Sequence, residues 1–342
     1  MQSKPNILLI YTGGTIGMMK DFETGALKAF NFSKLLNKIP ELKQLDCGIE
    51  TISFEHPIDS SNMNPHQWVQ IAEIIEKNYD TFDGFVVLHG SDTMSYSASA
   101  LSFMLENLSK PVVFTGSQLP IGDLRTDAKE NLITAIQIAS LQHKGKPVIN
   151  EVCLYFEYKL YRGNRTTKIN AEHFNAFASP NYAPLAESGV HLKINPELFL
   201  SKSGNKKFVV HKELDDNVVV VKMFPGINEP VLSAILNIPN LKGMVLETYG
   251  SGNAPTDEWF ISALKKAIKN GLHVINVTQC SGGSVSMGQY ETSTALKKIG
   301  VISGKDSTTE AAITKLMYLL GQQVSPNVFR TIFETSIRGE LS

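Results

Sequence analysis

The sequence predicts an α/β protein built on parallel sheets and divided into two domains. Three observations carry that reading. Continuous apolar runs such as residues 6–11 (NILLIY) and 84–88 (GFVVL) suit strands buried on both faces. They alternate with longer segments of helical periodicity, the pattern of parallel strands joined by crossover helices. The chain has 342 residues, and at roughly 150 residues per domain that length suggests about two domains.

Residues 6–11 form the first strand, and residues 50–54 alternate weakly. Asn64 followed by Pro65 reads as an N-cap with proline at the first helical position, opening a helix to about Tyr79. Trp68, Ile71, Ala72 and Ile75 give that helix one apolar face. Residues 84–88 are the next strand. Residues 94–105, rich in Ala and Ser, form a helix suited to close packing. A strand over 111–115 follows, then a helix over 127–141 with Leu132, Ala135, Ile136 and Ala139 on one stripe, then a strand over 151–155.

The composition then shifts. Residues 178–184 (ASPNYAP) are loop-like, 201–207 (SKSGNKK) polar and 214–217 acidic. This places an N-terminal domain over 1–195, a linker over 196–217 and a C-terminal domain over 218–342. Alternation resumes with strands at 218–222, 243–247 and 272–276. Helices lie at 229–237 and at 257–270, the second closed by Gly271. Two more helices, about 308–320 and 326–335, end the chain.

Composition excludes several classes. There are 32 Lys and Arg against 33 Asp and Glu, a net charge of −1, so the broad basic excess of a nucleic-acid binder is missing. A hydrophobic fraction of 42% with 19% charged residues is ordinary for a folded soluble domain. No apolar run approaches the roughly 20 residues of a membrane span, and the first one is shorter than a signal peptide needs. Cys47, Cys153 and Cys280 form no CxxC pair or disulfide framework. The expectation is a cytoplasmic protein with reduced thiols.

Several polar, glycine-containing turns follow predicted strands. In parallel sheets these belong to the carboxyl edge, where ligands bind. The first runs from Tyr11 to Gly17 (YTGGTIG), with Thr12 and Thr15 framing paired glycines. It lacks the spacing of a dinucleotide loop and the GKS/GKT of a phosphate loop. The second runs from Leu88 to Met94 (LHGSDTM), where Ser91 and Asp92 read equally as helix-capping residues. His89 reads as a structural histidine, since no metal partner lies at useful spacing. The third, Asp59-Ser60-Ser61-Asn62, suits a charged small molecule or a solvated turn. The fourth, Arg162 to Lys168 (RGNRTTK), is either a solvated basic loop or the carrier of a lysine into a site. No GxSxG elbow follows any strand, which argues against a Ser/His/Asp hydrolase.

Taken together, the segments YTGGTIGM, LHGSDTM, PVVFTGSQLP, LRTDAKENL, YRGNRTTK, FNAFASPN, YGSGNAP and the terminal RGEL resemble the L-asparaginase family, in its cytoplasmic type I branch. The resemblance covers nearly the whole chain. It implies an asparaginase-like fold with a larger N-terminal parallel-sheet domain and a smaller C-terminal α/β domain. It implies hydrolysis of the L-asparagine side-chain amide, with Thr15 as nucleophile and a β-aspartyl ester intermediate. Ser91, Asp92 and Lys168 would be the supporting set. Asp92 would also hold the substrate ammonium, and Asp59 and Ser60 the carboxylate end. Substrate binding would draw on Asp59, Ser60, Ser61, Gly14, Gly90 and Asn253, with no cofactor and no metal. The family also implies a homotetramer of intimate dimers, with Asn253 placed to reach a neighbouring site. The residue types suit the chemistry: a threonine hydroxyl needs an adjacent base, and a zwitterion needs a carboxylate for its ammonium and donors for its carboxylate.

Two positions depart from the family pattern. Ser91 stands where threonine is usual, keeping the hydroxyl but losing the methyl that restricts χ1. Ala26 aligns where the family's mobile loop carries a tyrosine. Phe22 has no hydroxyl to replace it, and Tyr11 is a candidate. Gly25 and its acidic neighbours suit a lid. Branch members can be regulated by asparagine at a second site. Thr167 and Cys280 fall in the relevant regions, but Glu247 puts an acid where an anion-binding side chain would serve better. Three rival readings exist. A broader glutaminase–asparaginase differs by one methylene in its substrate. The ammonia-producing subunit of a tRNA amidotransferase carries an extra N-terminal domain, for which a strand starting at about residue 6 is expected to leave no room. A non-catalytic amino-acid sensor would have no use for Thr15 and Lys168.

Overall fold

The computed structural model describes residues 4–20, 27–29, 39–201, 204, 206–288 and 291–342. The chain divides into two compact units, one ending at Lys212 and one beginning at Glu213.

The first unit is an eight-stranded sheet with helices. Its elements are β1 (Asn6–Gly13), β2 (Gly48–Ile58), α1 (Pro65–Asn78), β3 (Gly84–Leu88), α2 (Met94–Met104), β4 (Val112–Thr115), α3 (Ala128–Ala139), β5 (Val152–Phe156), β6 (Lys159–Arg162), β7 (Ala186–Glu187) and β8 (Lys193–Ile194). The strand order is β8-β7-β6-β5-β4-β3-β1-β2. From β2 to β5 all pairings are parallel. β3 and β5 are buried along their whole length, as continuous apolar runs require.

The sheet is mostly parallel, as expected, and departs from that pattern at one edge, where β6, β7 and β8 pair antiparallel. β5 and β6 are joined by Glu157 and Tyr158 alone, both at positive φ (46° and 67°). Two residues make a hairpin and are too few for a crossover. Neither residue is a glycine or asparagine, so the usual hairpin signature is missing from the sequence. Asn131 of α3 compensates by accepting the Glu157 N–H at 3.1 Å.

The helices obey their sequence signals. Asn64 accepts the His66 N–H, and Gln67 accepts the Asn64 N–H, both at 3.0 Å. Trp68, Ile71, Ala72 and Ile75 are all buried, as are Leu132, Ala135, Ile136 and Ala139 of α3. α2 is buried on nearly every side, which its Ala and Ser residues permit. A buried ion pair, Arg162 Nε to Glu151 Oε2 at 2.6 Å, anchors residues 198–200. Arg162 donates to the Leu198 carbonyl and Glu151 accepts the Leu200 N–H, fastening that segment to the sheet. Farther on, Phe208 stacks on Tyr79 at 3.8 Å, and Val209–Val210 pairs with Leu105–Glu106.

The second unit is a parallel sheet ordered β9-β10-β11-β12. Its elements are β9 (Val218–Lys222), α4 (Glu229–Leu236), β10 (Gly243–Thr248), α5 (Glu258–Lys269), β11 (His273–Thr278), α6 (Glu291–Ile299), β12 (Ile302–Ser303), α7 (Thr309–Gly321) and α8 (Pro326–Phe333). Gly271 follows α5 at φ +100°, the left-handed position expected of it. α6 and β12 are additions to the elements expected from the sequence pattern. No helix among the described residues is long and apolar enough to cross a membrane.

Lys315 of α7 is fully buried. It donates to the carbonyls of Phe333 and Thr335 at 2.8 and 2.7 Å and pairs with Glu340. Glu340 in turn accepts the N–H groups of Ile337 and Arg338, so the C-terminal residues wrap around one cation. Lys315→Ala strands the Glu340 carboxylate in the interior. We expect it to cost about 3–5 kcal/mol of stability, as uncompensated buried charges do. Urea unfolding checks this, with the paired replacement Lys315→Met and Glu340→Gln losing less than Lys315→Ala.

Candidate active site

Three turns meet at the carboxyl ends of β1, β2 and β3, and their glycines explain why they can. Gly14 has φ +83°, and a Cβ there would lie 2.4 Å from the Gly90 nitrogen. A Cβ on Gly90 would lie 2.4 Å from Ser60 Oγ, and one on Gly13 would lie 2.0 Å from the Ile58 carbonyl. No added side chain fits at these points: backbone lies directly against backbone at Gly13 and Gly14, and the Ser60 side chain fills the space at Gly90. Hydrogen bonds then fix the stack. Thr12 Oγ1 donates to Leu88 O at 3.0 Å, Gly14 N to Ile58 O at 3.1 Å, and Thr93 Oγ1 to Ser60 O at 2.7 Å.

Thr15 opens the single 3-10 turn Thr15–Gly17 that follows β1, and is half-buried. Tyr11 lies in the core beneath this turn, where a Cβ on Gly17 would meet its hydroxyl at 2.2 Å. Burial pushes the Tyr11 phenol up to about 12. Its ring packs directly under Gly17 and so supports the turn from below. Phe22, Gly25 and Ala26 lie outside the described residues.

Ser91 and Asp92 follow β3. The lysine expected from the fourth motif reaches both: Lys168 Nζ donates to Ser91 Oγ at 2.9 Å and lies 2.6 Å from Asp92 Oδ1. The solvated-loop alternative for 162–168 gives way here. Arg162, Asn164, Arg165 and Thr166 are buried, and Thr166 Oγ1 donates to Gly163 O while lying 3.0 Å from Ser95 Oγ of α2. From that anchored turn, Thr167–Lys168 pairs with Phe177–Ala178 and presents the lysine. Asp92 is largely exposed, whereas the lysine stem is mostly covered.

Asp59 caps the turn Ser60–Asn62, its Oδ1 accepting from Ser61 N at 2.9 Å and Ser61 Oγ at 3.0 Å. Asp59 and Ser61 are exposed on the rim, while Ser60 is buried against Gly90. Asn253 belongs to the second unit. It lies in the turn after β10, where its backbone pairs with Tyr249. Glu247 accepts from Thr309 Oγ1 at 2.6 Å in that same unit, and Cys280 is exposed there.

His89 is fully buried and structural. Its Nδ1 lies 2.7 Å from Gly90 O and its Nε2 2.8 Å from Ser97 Oγ. A carbonyl can only accept, so Nδ1 carries the proton and Nε2 accepts from Ser97. Trp68 Nε1 donates to the same Ser97 oxygen at 2.9 Å. The chain Trp68–Ser97–His89 thus holds the carbonyl of Gly90 in place. Burial lowers the His89 pKa to about 4, so the ring is neutral here.

Sequence reasoning missed Gln118. It follows β4 on the same edge, inside the motif TGSQLP, and its Oε1 accepts from Ser91 Oγ at 3.0 Å. Its position one residue beyond a Gly-Ser after a strand was the available signal. A cavity of about 900 Å3 lies elsewhere, lined by Lys144, Lys146, Asn150 and Phe199 among others, and involves none of these residues. Among the described residues, no three His, Cys, Asp or Glu side chains gather as metal ligands.

Comparison with known proteins decides the family. Residues 6–199 match the family model described as "Asparaginase, N-terminal", and residues 217–333 match "Glutaminase/Asparaginase C-terminal domain". The chain belongs to the asparaginase family. This asparaginase-family chain is accordingly an amidohydrolase, and the resemblance read from its motifs holds over its length. It is 44% identical to L-asparaginase 1 of Escherichia coli K12 over 341 residues, covering 99% of this chain and 98% of the relative. Its fold is similar to that of L-asparaginase I from Vibrio cholerae, with a TM-score of 0.90, 41% identity and 99% of both chains covered. It is also similar to the thermostable L-asparaginase from Thermococcus kodakarensis, with a TM-score of 0.89 and 34% identity, covering 98% of this chain and 99% of that one.

Two outcomes are expected for this family member. Gly14→Ala forces a side chain into Gly90 at an unfavourable φ. It should destabilise by roughly 1–3 kcal/mol or more and depress turnover further by separating the two turns, as thermal unfolding and an activity assay would show. His89 takes up a proton near 6.5 when unfolded but near 4 when folded. Its contribution to stability is therefore complete above pH 6.5 and is lost as pH falls toward 4, in total on the order of 3 kcal/mol. Urea midpoints at about pH 7 and 4.5 should fall more for the parent than for His89→Gln.

Proposed function

We propose that the chain hydrolyses the side-chain amide of L-asparagine, giving L-aspartate and ammonia. The Thr15 hydroxyl attacks the amide carbon, and its proton passes through the Ser91–Lys168 pair to the departing ammonia. Water then cleaves the β-aspartyl ester, and Thr15 regains its proton. Asp92 faces the substrate ammonium. Asp59, Ser60 and Ser61, with the backbone of Gly14 and Gly90, receive the carboxylate end. N–H groups near Ser91 stabilise the oxyanion, where each such donor is worth roughly 3–4 kcal/mol in acyl transfer.

One observation carries this reading. The contact of Gly14 with Gly90 sets the Thr15 turn directly against the turn whose Ser91 and Asp92 both bond Lys168. A nucleophile beside a hydroxyl–lysine–carboxylate set fits covalent amide hydrolysis better than simple amino-acid binding. The names of the relatives, L-asparaginase in E. coli and V. cholerae, support the same substrate. The proposal extends to a cytoplasmic homotetramer built from intimate dimers, in which Asn253 of the partner subunit completes each site.

Ammonia release from L-asparagine and from L-glutamine tests it. We expect turnover of asparagine, with glutamine poorer by the 1–3 kcal/mol that one methylene commands in a fitted pocket. Thr15→Ala should lower kcat by about a thousandfold or more, and Lys168→Met by roughly 10²–10⁴-fold. Thr15→Ala turning over at the parent rate would refute the nucleophile assignment.

A further inference from the structure

We infer that Gln118 is a positioning residue that sets the direction of the Ser91 hydroxyl and holds the Lys168-bearing hairpin against it. The inference deepens the amide hydrolysis proposed above and rests on that reading for its kinetic part.

The orientation of every group follows from donor and acceptor logic. Gln118 Nε2 faces two backbone carbonyls, Ala171 O at 3.2 Å and His173 O at 3.1 Å. Carbonyls can only accept, so the amide nitrogen must point at them and Oε1 must point at Ser91. The Lys168 ammonium can only donate, so the Ser91 oxygen accepts from it. The single proton of Ser91 is thereby directed at Gln118 Oε1. One side chain thus fixes which way the hydroxyl beside Lys168 points.

The clamp is anchored on its other side. Gln118 N donates to both carboxylate oxygens of Asp127, at 3.1 and 2.9 Å, and Leu119 N donates to Oδ1 at 3.2 Å. Asn131, one turn further along α3, donates to Gly116 O at 3.0 Å. The turn after β4 is therefore rigid, and Gln118 reaches from it to residues 171 and 173. These lie in the loop between Thr167–Lys168 and its partner strand Phe177–Ala178. Ile169 N and Asn170 N both donate to Ala176 O, so this hairpin moves as a unit. Loss of the Gln118 contacts frees both the hydroxyl and the hairpin that carries the lysine.

The residue at 91 makes this restraint matter. Serine has no γ-methyl to limit χ1, so its rotamer is set by its hydrogen-bond partners. Gln118 supplies the order that a β-branched side chain would carry intrinsically.

A double-mutant cycle tests the inference. Gln118→Met keeps length and removes the amide. It should lower kcat for ammonia release about tenfold, the worth of roughly one hydrogen bond, with KM within about twofold. In the Ser91→Thr background the same replacement should lower kcat no more than about twofold relative to that background. Gln118→Asn, which keeps an amide too short to span both partners, should show the same pattern. Hydrogen exchange of peptides covering 165–177 provides a readout independent of turnover, and it should quicken in Gln118→Met while β1 and β3 stay protected. Equal losses in both backgrounds overturn the orienting role, and unchanged exchange overturns the clamp. A parent chain that releases no ammonia overturns the amide hydrolysis instead, and exchange still decides the clamp.

Discussion

The site depends on backbone meeting backbone. Gly13, Gly14 and Gly90 lie where a single added carbon would fall 2.0–2.4 Å from a neighbouring atom. Three strands end side by side in a parallel sheet about 4.8 Å apart, and their turns converge closely only if side chains are absent between them. With glycine at these points, the hydroxyls of Thr12 and Thr93 close hydrogen bonds between neighbouring turns. The turns that carry Thr15, Ser60, Ser91 and Asp92 then lie against one another. The chemistry proposed for them needs that proximity before any question of pKa arises.

The rest of the unit protects this arrangement by satisfying buried polar groups. Trp68, Ser97 and His89 form a directional chain ending on the Gly90 carbonyl. Because the histidine is buried, the neutral form is favoured, and one tautomer alone satisfies both neighbours. Arg162 and Glu151 achieve the same with charge, each making further bonds to the 198–200 segment. Lys315 and Glu340 do so around the C-terminus of the second unit. In each case a costly buried group is offset by several partners at once, so it specifies one local geometry.

Much of the architecture was legible from local signals. Capping and periodicity placed α1 to its last turn, and the apolar runs located β1, β3, β4 and β5. Those signals are written in short windows, where 3.6- and 2-residue periods differ sharply. The failures came where a tertiary contact replaced the local signal. Glu157 and Tyr158 make a hairpin without turn residues, held by Asn131 from a distant helix. The loop 162–166 reads in sequence as either solvated or carrying a lysine into a site, and packing decides between them by burying it under α2 and beside Tyr182.

By itself, the sequence determined the fold class, most of the elements in their order and the family motifs from which the catalytic set is proposed. These are properties of residue type and spacing, and a linear pattern records them. The tertiary structure alone decided that Lys168 bonds both Ser91 and Asp92 across some 76 residues, that Tyr11 supports its turn from within the core, and that Gln118 faces Ser91. Such pairings depend on which strand ends become neighbours and which way a side-chain dipole points. Both are settled by packing and by the rule that every donor finds an acceptor.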